Sequence, residues 1–532
     1  MQSTPAMAVP PARAPGARPP GRLRRRGTAV AGVAALALLL PAAAPADAAP
    51  SASERLQDSV TLNGLLQHTR ALQQVADVNG RTRAAGTPGH AASAGYVMGQ
   101  LEAAGYRVRL QPFAFPFYQE TAPVEMARTA AEPTTYQAGV DMATMTYSGS
   151  GTAEARVEGV DLALPPPAEP GSTSGCEPAD FTGFTRGAIA LLQRGTCPFE
   201  VKAQNAQAAG AAAVVIFNEG QPGRTDLLTG TLGAPGVTVP VVGVSFALGQ
   251  ELAAPGTVLR VSAATESEIR TTYNVLAETR RGRTDNVVVL GAHLDSVPEG
   301  PGINDNGSGS AALLAIAKGM AKVKPRNQVR FAWWSAEEFS LLGSAHYVSS
   351  LSAAEVANIA LYLNFDMIAS PNHGRFVYDG DDSDQQGAGP GPDGSAAIEG
   401  VFTSYFSGRG LPTAGTDFTG RSDYGPFIGV GIPAGGLFTG AEGIKTEEEA
   451  ALFGGTAGEP YDPCYHQACD TSRNLDRTAF LQNARAAAHA TAVFAADTSA
   501  VNGRTPSAPA AGTRGTGPAP SLVRTPPPVA PR

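Results

Sequence analysis

The stretch "QVRFAWWSAEEFSLLGS", residues 328–344, contains an apolar run that is followed by two adjacent carboxylates. Residues 328–334 are typical of a buried strand, and Glu337 and Glu338 follow shortly after it. Two neighbouring like charges are costly unless a positive group lies beside them. The pair could instead begin a surface helix, where acidic residues complement the positive helix N-terminus. The sequence on either side distinguishes these two interpretations.

Strands and helices alternate around this stretch. The segments "NVVVLGAHLD" (286–295) and "ANIALYLNFDM" (357–367) contain apolar runs that predict strands, and "SGSAALLAIAKGMAKV" (308–323) predicts a helix. Near-continuous apolar strands that alternate with helices are buried on both faces. The sequence therefore predicts an α/β fold with a mixed central sheet and helices on both faces.

Changes in composition divide the chain into segments. Residues 49–137 read as helices followed by a strand, and residues 268–498 carry the alternating α/β pattern. Between them, residues 138–267 contain short β-rich segments, one alanine-rich helix and no cluster of catalytic residue types. Residues 499–532 are rich in proline, alanine, threonine and glycine, so we expect a disordered tail.

The first 48 residues have the order of a secretory signal peptide. Four arginines within residues 22–26 precede a short apolar run, and Ala46-Asp47-Ala48 provides a small-residue cleavage site. The run from Thr28 to Leu40 is too short to span a bilayer comfortably. We expect a secreted, extracellular protein that is free of the membrane after cleavage, with the twin-arginine route left open.

Charge and cysteine content indicate the compartment in which the protein functions and exclude one class of binding partner. The formal net charge is −8 and no basic patch stands out, so nucleic acid is not an expected partner. Four cysteines fit an oxidising compartment and allow three pairings. Proximity in sequence favours Cys464–Cys469 and Cys176–Cys197. A thiol metal site is the rival interpretation, but the sequence contains no CxxC pair to support it.

Acidic residues and histidines follow the predicted strands, where sites form in open α/β sheets. The set comprises His293, Asp295, Asp305 in a glycine-rich loop, Glu337, Glu338 and Asp366. Each motif taken alone is most often incidental, but the whole set would repel itself without cations. Two zinc ions about 3.5–4 Å apart that share one carboxylate would satisfy it. His466, in a loop that the proposed short disulfide would fix, is the candidate second histidine ligand.

Together these motifs resemble the co-catalytic di-zinc aminopeptidases of the M28 peptidase family, especially the secreted leucine-type enzymes of actinobacteria. The matching segments are "GAHLDSV", "INDNGSG", "WWSAEEFSLLGS", "LNFDM" and "PCYHQACD". Residues 187–218 resemble a protease-associated (PA) domain. The resemblance makes residues 49–137 and 268–498 two parts of one peptidase domain of the zinc-peptidase type, which a PA domain at 138–267 interrupts.

The resemblance implies a ligand set of two zinc ions per chain. It assigns His293 and Asp366 to one zinc, Glu338 and His466 to the other, and Asp305 to a bridge between them.

The resemblance also implies catalytic roles. Glu337 would be the general base that takes a proton from a zinc-bound water and returns it to the leaving amine. Tyr465 would stabilise the oxyanion, and Asp295 would accept the second ring N–H of His293. In the resembling enzymes the peptide bond after the bridging aspartate is cis, which here is Asp305–Asn306.

On the substrate side, the resemblance places Arg421 near the substrate amine and Phe438 near an apolar specificity pocket. Tyr424 stands where relatives often carry histidine. The segment "YDGDDSD" (378–384) could bind calcium, although a solvated acidic turn is the simpler interpretation. We expect a monomer that hydrolyses large apolar N-terminal residues from peptide substrates.

Three other functions fit the same scaffold. A carboxypeptidase needs basic groups aimed at the substrate carboxylate, and no arginine cluster stands out in the sequence. A glutaminyl cyclase of this fold works with one zinc. A non-catalytic binding protein with a PA domain would lack part of the ligand set, whereas every expected ligand is present here.

Overall fold

The computed structural model of the chain describes residues 51–130, 132–387 and 389–505. The predicted signal peptide, residues 1–48, and the part of the predicted tail from residue 506 onward lie outside the described residues.

The described chain begins with three helices and a long strand. These are α1 (Ala52–Ser59), α2 (Leu62–Val78), α3 (Pro88–Ala103) and β1 (Arg107–Arg128). The hydroxyls of Ser51, Thr61 and Thr87 accept a backbone N–H at the start of each helix. These caps satisfy donors that the first turn of a helix leaves free, so the three helix starts are defined by sequence.

A second group of elements follows β1. It comprises β2 (Thr134–Tyr136), β3 (Met142–Thr144), β4 (Gly151–Gly159), a 3-10 turn (Pro178–Phe181), β5 (Ile189–Gln193), α4 (Phe199–Ala209), β6 (Ala213–Phe217), β7 (Val241–Val244), α5 (Phe246–Leu252) and β8 (Val258–Glu278). The helix α5 was not predicted, since the sequence suggested a single helix in this region. Ser245 caps it by accepting the N–H of Leu248, a local signal in a helix of only 7 residues.

The remaining elements form the alternating part of the chain. They are β9 (Arg283–His293), α6 (Gly307–Met320), β10 (Asn327–Trp334), α7 (Leu342–Ser349), α8 (Ala353–Asn358), β11 (Ile359–Phe365), β12 (Phe376–Tyr378), α9 (Ser395–Ser407), β13 (Ala414–Thr416), α10 (Tyr424–Gly429), β14 (Ala434–Phe438), α11 (Glu447–Phe453), α12 (Arg477–Ala496) and α13 (Ser499–Asn502).

The sheet of this part is mixed, as the sequence predicts. Its strand order is β13-β12-β14-β11-β9-β10-β8. Strands β10, β9, β11 and β14 run parallel to one another, whereas β8 and β12 pair antiparallel to β10 and β14. The carboxyl ends of the four parallel strands therefore meet at one edge.

Helices cover both faces of this sheet. The adjacent residues Trp333 and Trp334 of β10 are both fully buried and belong to different apolar clusters. Trp333 packs on the face of α2, α6 and α12, and Trp334 packs on the face of α7 and α10. Because successive side chains of a strand point to opposite faces, burial on both faces explains why β10 is apolar throughout.

A long two-stranded ribbon joins the two groups of elements. Strands β1 and β8 pair antiparallel from Arg107 opposite Glu278 to Arg128 opposite Leu259, with irregular register between Glu120 and Glu125. Strand β8 also pairs with β10 of the alternating part of the chain and with β4 of the second group of elements. The predicted domain boundary between residues 267 and 268 therefore lies inside a continuous strand.

Both predicted disulfides are present, Cys176–Cys197 and Cys464–Cys469. The start of the predicted tail at residue 499 was wrong for its first residues, because Ser499–Asn502 is helical. Asn286 donates to the hydroxyl of Thr498, and Asn502 donates to Asn286, so this short helix is fixed to the start of β9. In the described part of the chain, no helix combines the length and apolar character needed to cross a bilayer.

Candidate metal centre and active site

The carboxyl edge of the parallel strands carries the candidate site. His293 is the last residue of β9, Asp366 follows β11, and Glu337 and Glu338 follow β10. Asp305 lies in the loop between β9 and α6. The structure therefore brings together side chains that the sequence places at separate strand ends.

Asp305 lies between two histidines. Its Oδ1 is 3.2 Å from His293 Nε2, and its Oδ2 is 3.3 Å from His466 Nε2. Oδ1 of Asp366 is 3.2 Å from the same nitrogen of His293, and Oε2 of Glu338 is 3.0 Å from that of His466. The donor atoms thus form two adjacent sets that share one carboxylate.

These distances fit two zinc ions. Tetrahedral ligands with zinc–nitrogen and zinc–oxygen bonds of about 2.0–2.1 Å lie roughly 3.3 Å from one another. The four donor pairs lie 3.0–3.3 Å apart. Oε1 of Glu338 is buried and has no hydrogen-bond partner among the described residues, as an oxygen facing a cation would be. The residues present therefore fit the metal set that the sequence predicts.

The electrostatics of the cluster favour positive charge at its centre. Burial opposes a charged imidazole, yet Asp366 and Glu337 raise the pKa of His293 well above its ordinary value. Burial likewise opposes the charged form of His466, but hydrogen bonds with Asp305 and Glu338 raise its pKa to about 10. Because opposite charges stabilise each other at short range, the carboxylates would hold a divalent cation for the same reason.

Glu337 lies farther from the nearest histidine nitrogen than its neighbour Glu338 does. Its Oε2 lies 3.9 Å from His293 Nε2, farther than the donor pairs above, and the residue is 8% exposed. Burial raises the pKa of Glu337 well above its ordinary value, His293 lowers it, and the Asp366 carboxylate raises it further. The positive φ of Ala336 turns the chain after β10, so both adjacent glutamates reach the same edge.

Asp295 differs in detail from the prediction. The Nδ1 atom of His293 lies 3.1 Å from the backbone carbonyl of Asp295, whereas the Asp295 carboxylate is 3.8 Å away. That carboxylate instead accepts the backbone N–H of Glu337 at 3.3 Å. Asp295 therefore connects the end of β9, which carries His293, to the turn after β10, which carries Glu337.

A buried polar network beneath Asp305 was not predicted. The carboxylate of Asp470 accepts the backbone N–H of Asn304 at 2.8 Å and that of Asp305 at 2.9 Å. Asn474 donates to both Asp470 and Asp462. Asp470 is the last residue of the motif "PCYHQACD", so its position close to the candidate ligand His466 was the available signal. The peptide bond Asp305–Asn306 is cis, as the resemblance implies.

Arg83 also contributes to the site, although no sequence pattern marks it as part of one. Its guanidinium is fully buried and donates to the carbonyl oxygens of Leu294, Pro301 and Gly302. Burial lowers its pKa to about 10, and nearby carboxylates, Asp295 foremost, oppose that change. Arg83 is therefore charged at neutral pH and holds the loop that precedes Asp305.

Asp366 is held by Ser422, another contact that was not predicted. The hydroxyl of Ser422 donates to its Oδ2 at 2.6 Å, and Asn364 donates to that hydroxyl at 2.9 Å. Because Oδ2 is engaged in this way, Oδ1 is directed towards His293. Tyr424, two residues beyond Ser422, is buried, and its hydroxyl accepts the N–H of Gly420 at 2.9 Å.

A cleft of about 330 Å³ opens beside the candidate metal-binding residues. Tyr465, Arg421 and Phe438, all singled out from sequence, line it. The ring of Tyr465 stacks on His466 with centroids 3.8 Å apart, and Arg421 donates to its hydroxyl at 3.2 Å. Arg421 also pairs with Glu442 at 2.7 Å, so a chain of contacts runs from the rim to the histidine.

The predicted calcium segment forms a turn directly after β12, and Glu399 of α9 lies beside it. Carboxylate oxygens of Asp379, Asp381 and Glu399 lie within 4.8 Å of one another. Asp379 already accepts backbone N–H groups, including that of Asp384 at 3.0 Å, and Glu399 accepts that of Gly380. These contacts organise the turn without an ion, and calcium binding stays a prediction.

The fold and the donor set define the class of the protein: an α/β protein with a metal-binding edge. Residues 274–491 match Peptidase family M28, and residues 160–252 match the PA domain. The chain is 47% identical to an aminopeptidase of Pseudomonas aeruginosa over 445 residues, which cover 83% of this chain and 82% of that one. The chain belongs to peptidase family M28 and carries a PA domain.

Further similarities agree with this assignment. Leucine aminopeptidase 2 of Arthroderma otae is 40% identical over 450 residues, covering 83% of this chain and 86% of that protein. The solved aminopeptidase from Aneurinibacillus sp. strain AM-1 superposes with a TM-score of 0.57 at 27% identity, over 83% and 96% of the two chains. A zinc aminopeptidase from Bacillus subtilis shares the fold, with a TM-score of 0.51 at 23% identity over 81% and 94%.

Proposed function

We propose that this chain is a secreted, zinc-dependent aminopeptidase that removes large apolar N-terminal residues from peptides. The observation that carries the proposal is the position of Asp305, whose two oxygens face His293 and His466 at 3.2 and 3.3 Å. Such a bridge suits a two-metal hydrolytic centre. The aminopeptidase relatives and the two disulfides support the activity and an oxidising destination.

In this proposal His293 and Asp366 hold one zinc ion, Glu338 and His466 hold the other, and Asp305 bridges them. When bound, the zinc ions would supply Lewis acidity, which makes a water molecule more acidic and polarises the scissile carbonyl.

Glu337 moves the proton. Its carboxylate takes a proton from the attacking water and donates it to the nitrogen of the leaving peptide. A carboxylate that is near the donor sets but outside their shortest contacts suits a base better than a ligand.

Tyr465 acts on the carbonyl side of the substrate, and Arg421 orients its phenol. The phenol donates a hydrogen bond to the oxyanion that develops on the substrate, and the stack on His466 fixes its ring. Arg421 donates to the same hydroxyl, which leaves the phenol proton free to point into the cleft. Arg421 also pairs with Glu442 at 2.7 Å, which fixes the guanidinium beside the phenol.

The shape of the cleft supports a large apolar side chain at the substrate N-terminus. Its wall includes the aromatic residues Phe376, Tyr378, Phe438 and Tyr461. Aromatic side chains in the wall of a cleft favour apolar substrate side chains.

The test is the release of 4-nitroaniline from a panel of aminoacyl nitroanilides, with and without a zinc chelator. We expect the leucine and phenylalanine substrates to be cleaved fastest and the chelator to stop the reaction. N-acetyl-leucine nitroanilide is the matched control, because it lacks the free amine and should stay intact. Cleavage of the acetylated substrate at an equal rate would refute an aminopeptidase.

A further inference from the structure

The β1–β8 ribbon contacts the turn that carries the two catalytic-site glutamates. We propose that Phe339, which packs on this ribbon, is a positioning residue that sets the direction of Glu337 and Glu338. Through it, the ribbon that carries the PA domain is coupled to the proton-transfer step. The inference rests on the proposed function, because that function assigns the two glutamates their roles.

The backbone of this turn needs external support. Ala336, Ser340 and Leu341 all have φ between 55° and 70°, a region that residues with a side chain rarely adopt. Within the turn, the N–H of Leu341 donates to the carbonyl of Glu337, and that of Leu342 donates to the carbonyl of Ala336. Such a conformation persists where surrounding structure enforces it.

The ribbon supplies support at the middle of the turn. The ring of Phe339 lies 5.1 Å from that of Phe115 and 5.6 Å from that of Phe117, measured between centroids. Phe115 and Phe117 are buried residues of β1 and form, with Ala85 and Ala336, a small apolar cluster. Aromatic pairs at these distances favour defined relative orientations, so Phe339 has little freedom to rotate.

The ribbon also fixes both ends of the turn through β8. The hydroxyls of Thr272 and Ser335 are 2.6 Å apart, and the side-chain oxygen of Asn274 accepts the N–H of Ser335 at 3.0 Å. The amide group of Asn274 donates to the carbonyl of Gly343 at 2.8 Å. Thr272 and Asn274 are buried, so these contacts are shielded from water. Polar contacts thus hold the ends, and Phe339 holds the middle.

The aromatic support is in turn connected across the ribbon. The guanidinium of Arg270 lies 3.5 Å above the ring of Phe117 and pairs with Glu266 and Glu268 on the same strand. Phe117 and Glu268 are directly opposite each other in the ribbon register. Beyond this point β8 continues into its pairing with β4 of the inserted region. A displacement of the insertion would therefore act on the ring against which Phe339 packs.

The test compares Phe339→Ala with Phe339→Leu and with Phe184→Ala as a matched control. Phe184 is also partly exposed and forms an aromatic pair, with Phe181 at 5.7 Å, but it lies in the inserted region. We expect Phe339→Ala to lower kcat on leucine nitroanilide about tenfold or more at unchanged zinc content, with KM nearly constant. Phe339→Leu should recover most of the loss, and Phe184→Ala should behave as the unmodified protein.

Hydrogen–deuterium exchange of residues 335–343 gives a readout that depends on neither zinc nor peptidase activity. Exchange there should be faster in Phe339→Ala and unchanged in Phe184→Ala. Arg270→Ala removes a contact with Phe117 and does not alter the turn itself. It should also make exchange of residues 335–343 faster. If the unmodified protein cleaves no nitroanilide, the proposed function fails while exchange still decides the coupling.

Equal exchange in Phe339→Ala and in the control would overturn the inference. A fall in kcat that is fully accounted for by lost zinc would overturn it as well. Should Phe339→Ala fail to fold, Phe117→Leu tests the same contact from the ribbon side, with the same expected directions.

Discussion

The backbone N–H of Asp305 donates to Oδ2 of Asp470 over 2.9 Å, so the loop after β9 depends on a residue 165 positions further along the chain. The same carboxylate accepts the N–H of Asn304. In Asp470→Asn an amide group would face one of these N–H donors, and a buried unsatisfied donor costs about 1–3 kcal/mol. We expect a lower unfolding temperature and a lower kcat, measured by calorimetry and nitroanilide release.

Asp497→Asn is the control for this variant. Asp497 is exposed and accepts the N–H of Ser499 at 2.8 Å, so the chemical change is the same at a hydrated position. Equal unfolding temperatures in the two variants would contradict a supporting role for Asp470.

Glu337→Gln and Glu338→Gln should have different consequences. Loss of the proton acceptor in Glu337→Gln should lower kcat by about 10²-fold or more while zinc content stays unchanged. Glu338→Gln should weaken one zinc site, because its Oε2 is the oxygen closest to His466 Nε2. Zinc analysis beside kinetics separates the two, and loss of zinc in Glu337→Gln would reverse the assignment.

Zinc binding should become tighter as the pH rises. Burial opposes protonation of His466, but its hydrogen bonds with Asp305 and Glu338 raise its pKa to about 10, so the metal-free ring carries a proton at neutral pH. Zinc needs the neutral ring, so each displaced proton should change the apparent affinity about tenfold per pH unit. Titration of metal-free protein at pH 6, 7 and 8 measures this slope, and a flat profile would be inconsistent with it.

The stability of the metal-free protein should change with pH in the opposite direction to its zinc affinity. A folded-state pKa above the ordinary value of 6.5 stabilises the metal-free fold fully below that pH, and the contribution fades as the pH rises towards 10. The metal-free protein should therefore lose stability over the pH range in which zinc affinity increases.

Removing each disulfide separately should have different effects on activity and on stability. The bond Cys464–Cys469 spans 5 positions and encloses His466, whereas Cys176–Cys197 spans 21 positions in the inserted region. Chain-entropy estimates give losses of about 2 and about 3 kcal/mol for the paired serine variants. We expect loss of Cys464–Cys469 to cost less stability but to reduce zinc content and kcat. Loss of Cys176–Cys197 should cost more stability and leave kcat on small substrates unchanged. Equal kinetics in both variants would argue against a role for the short loop in holding the ligand.

The central strands were predictable because they are buried on both faces. The predicted strand 328–334 corresponds to Asn327–Trp334, and the segment 357–367, which predicts a strand, contains Ile359–Phe365. Parallel strands place their carboxyl ends at one edge, so His293, Glu337 and Asp366 could be brought together from sequence order alone. The full length of β1 was not predictable in this way, because Pro112 and Pro116 are residues that usually argue against a continuous strand.

The supporting contacts were not predictable in the same way. Arg83, Asp470 and Ser422 lie in loops, where no periodic pattern marks burial, and their partners lie far away in sequence. The direction of a side chain in a turn is similarly hidden, which is why Asp295 presents its carbonyl to His293 instead of its carboxylate. Residue type and strand order identify candidate ligands, while loop conformation determines what holds them.

The ribbon has a consequence for the ancestry of the molecule. Tyr118 and Ser267 lie directly opposite each other in the β1–β8 register, although 149 positions separate them in sequence. Opposed residues of an antiparallel pair are only about 4.5–5.5 Å apart at their Cα atoms, and a two-residue hairpin turn closes such a gap. A coding sequence could therefore acquire or discard everything between these two positions in a single event, without altering the register of a strand in the remaining sheet.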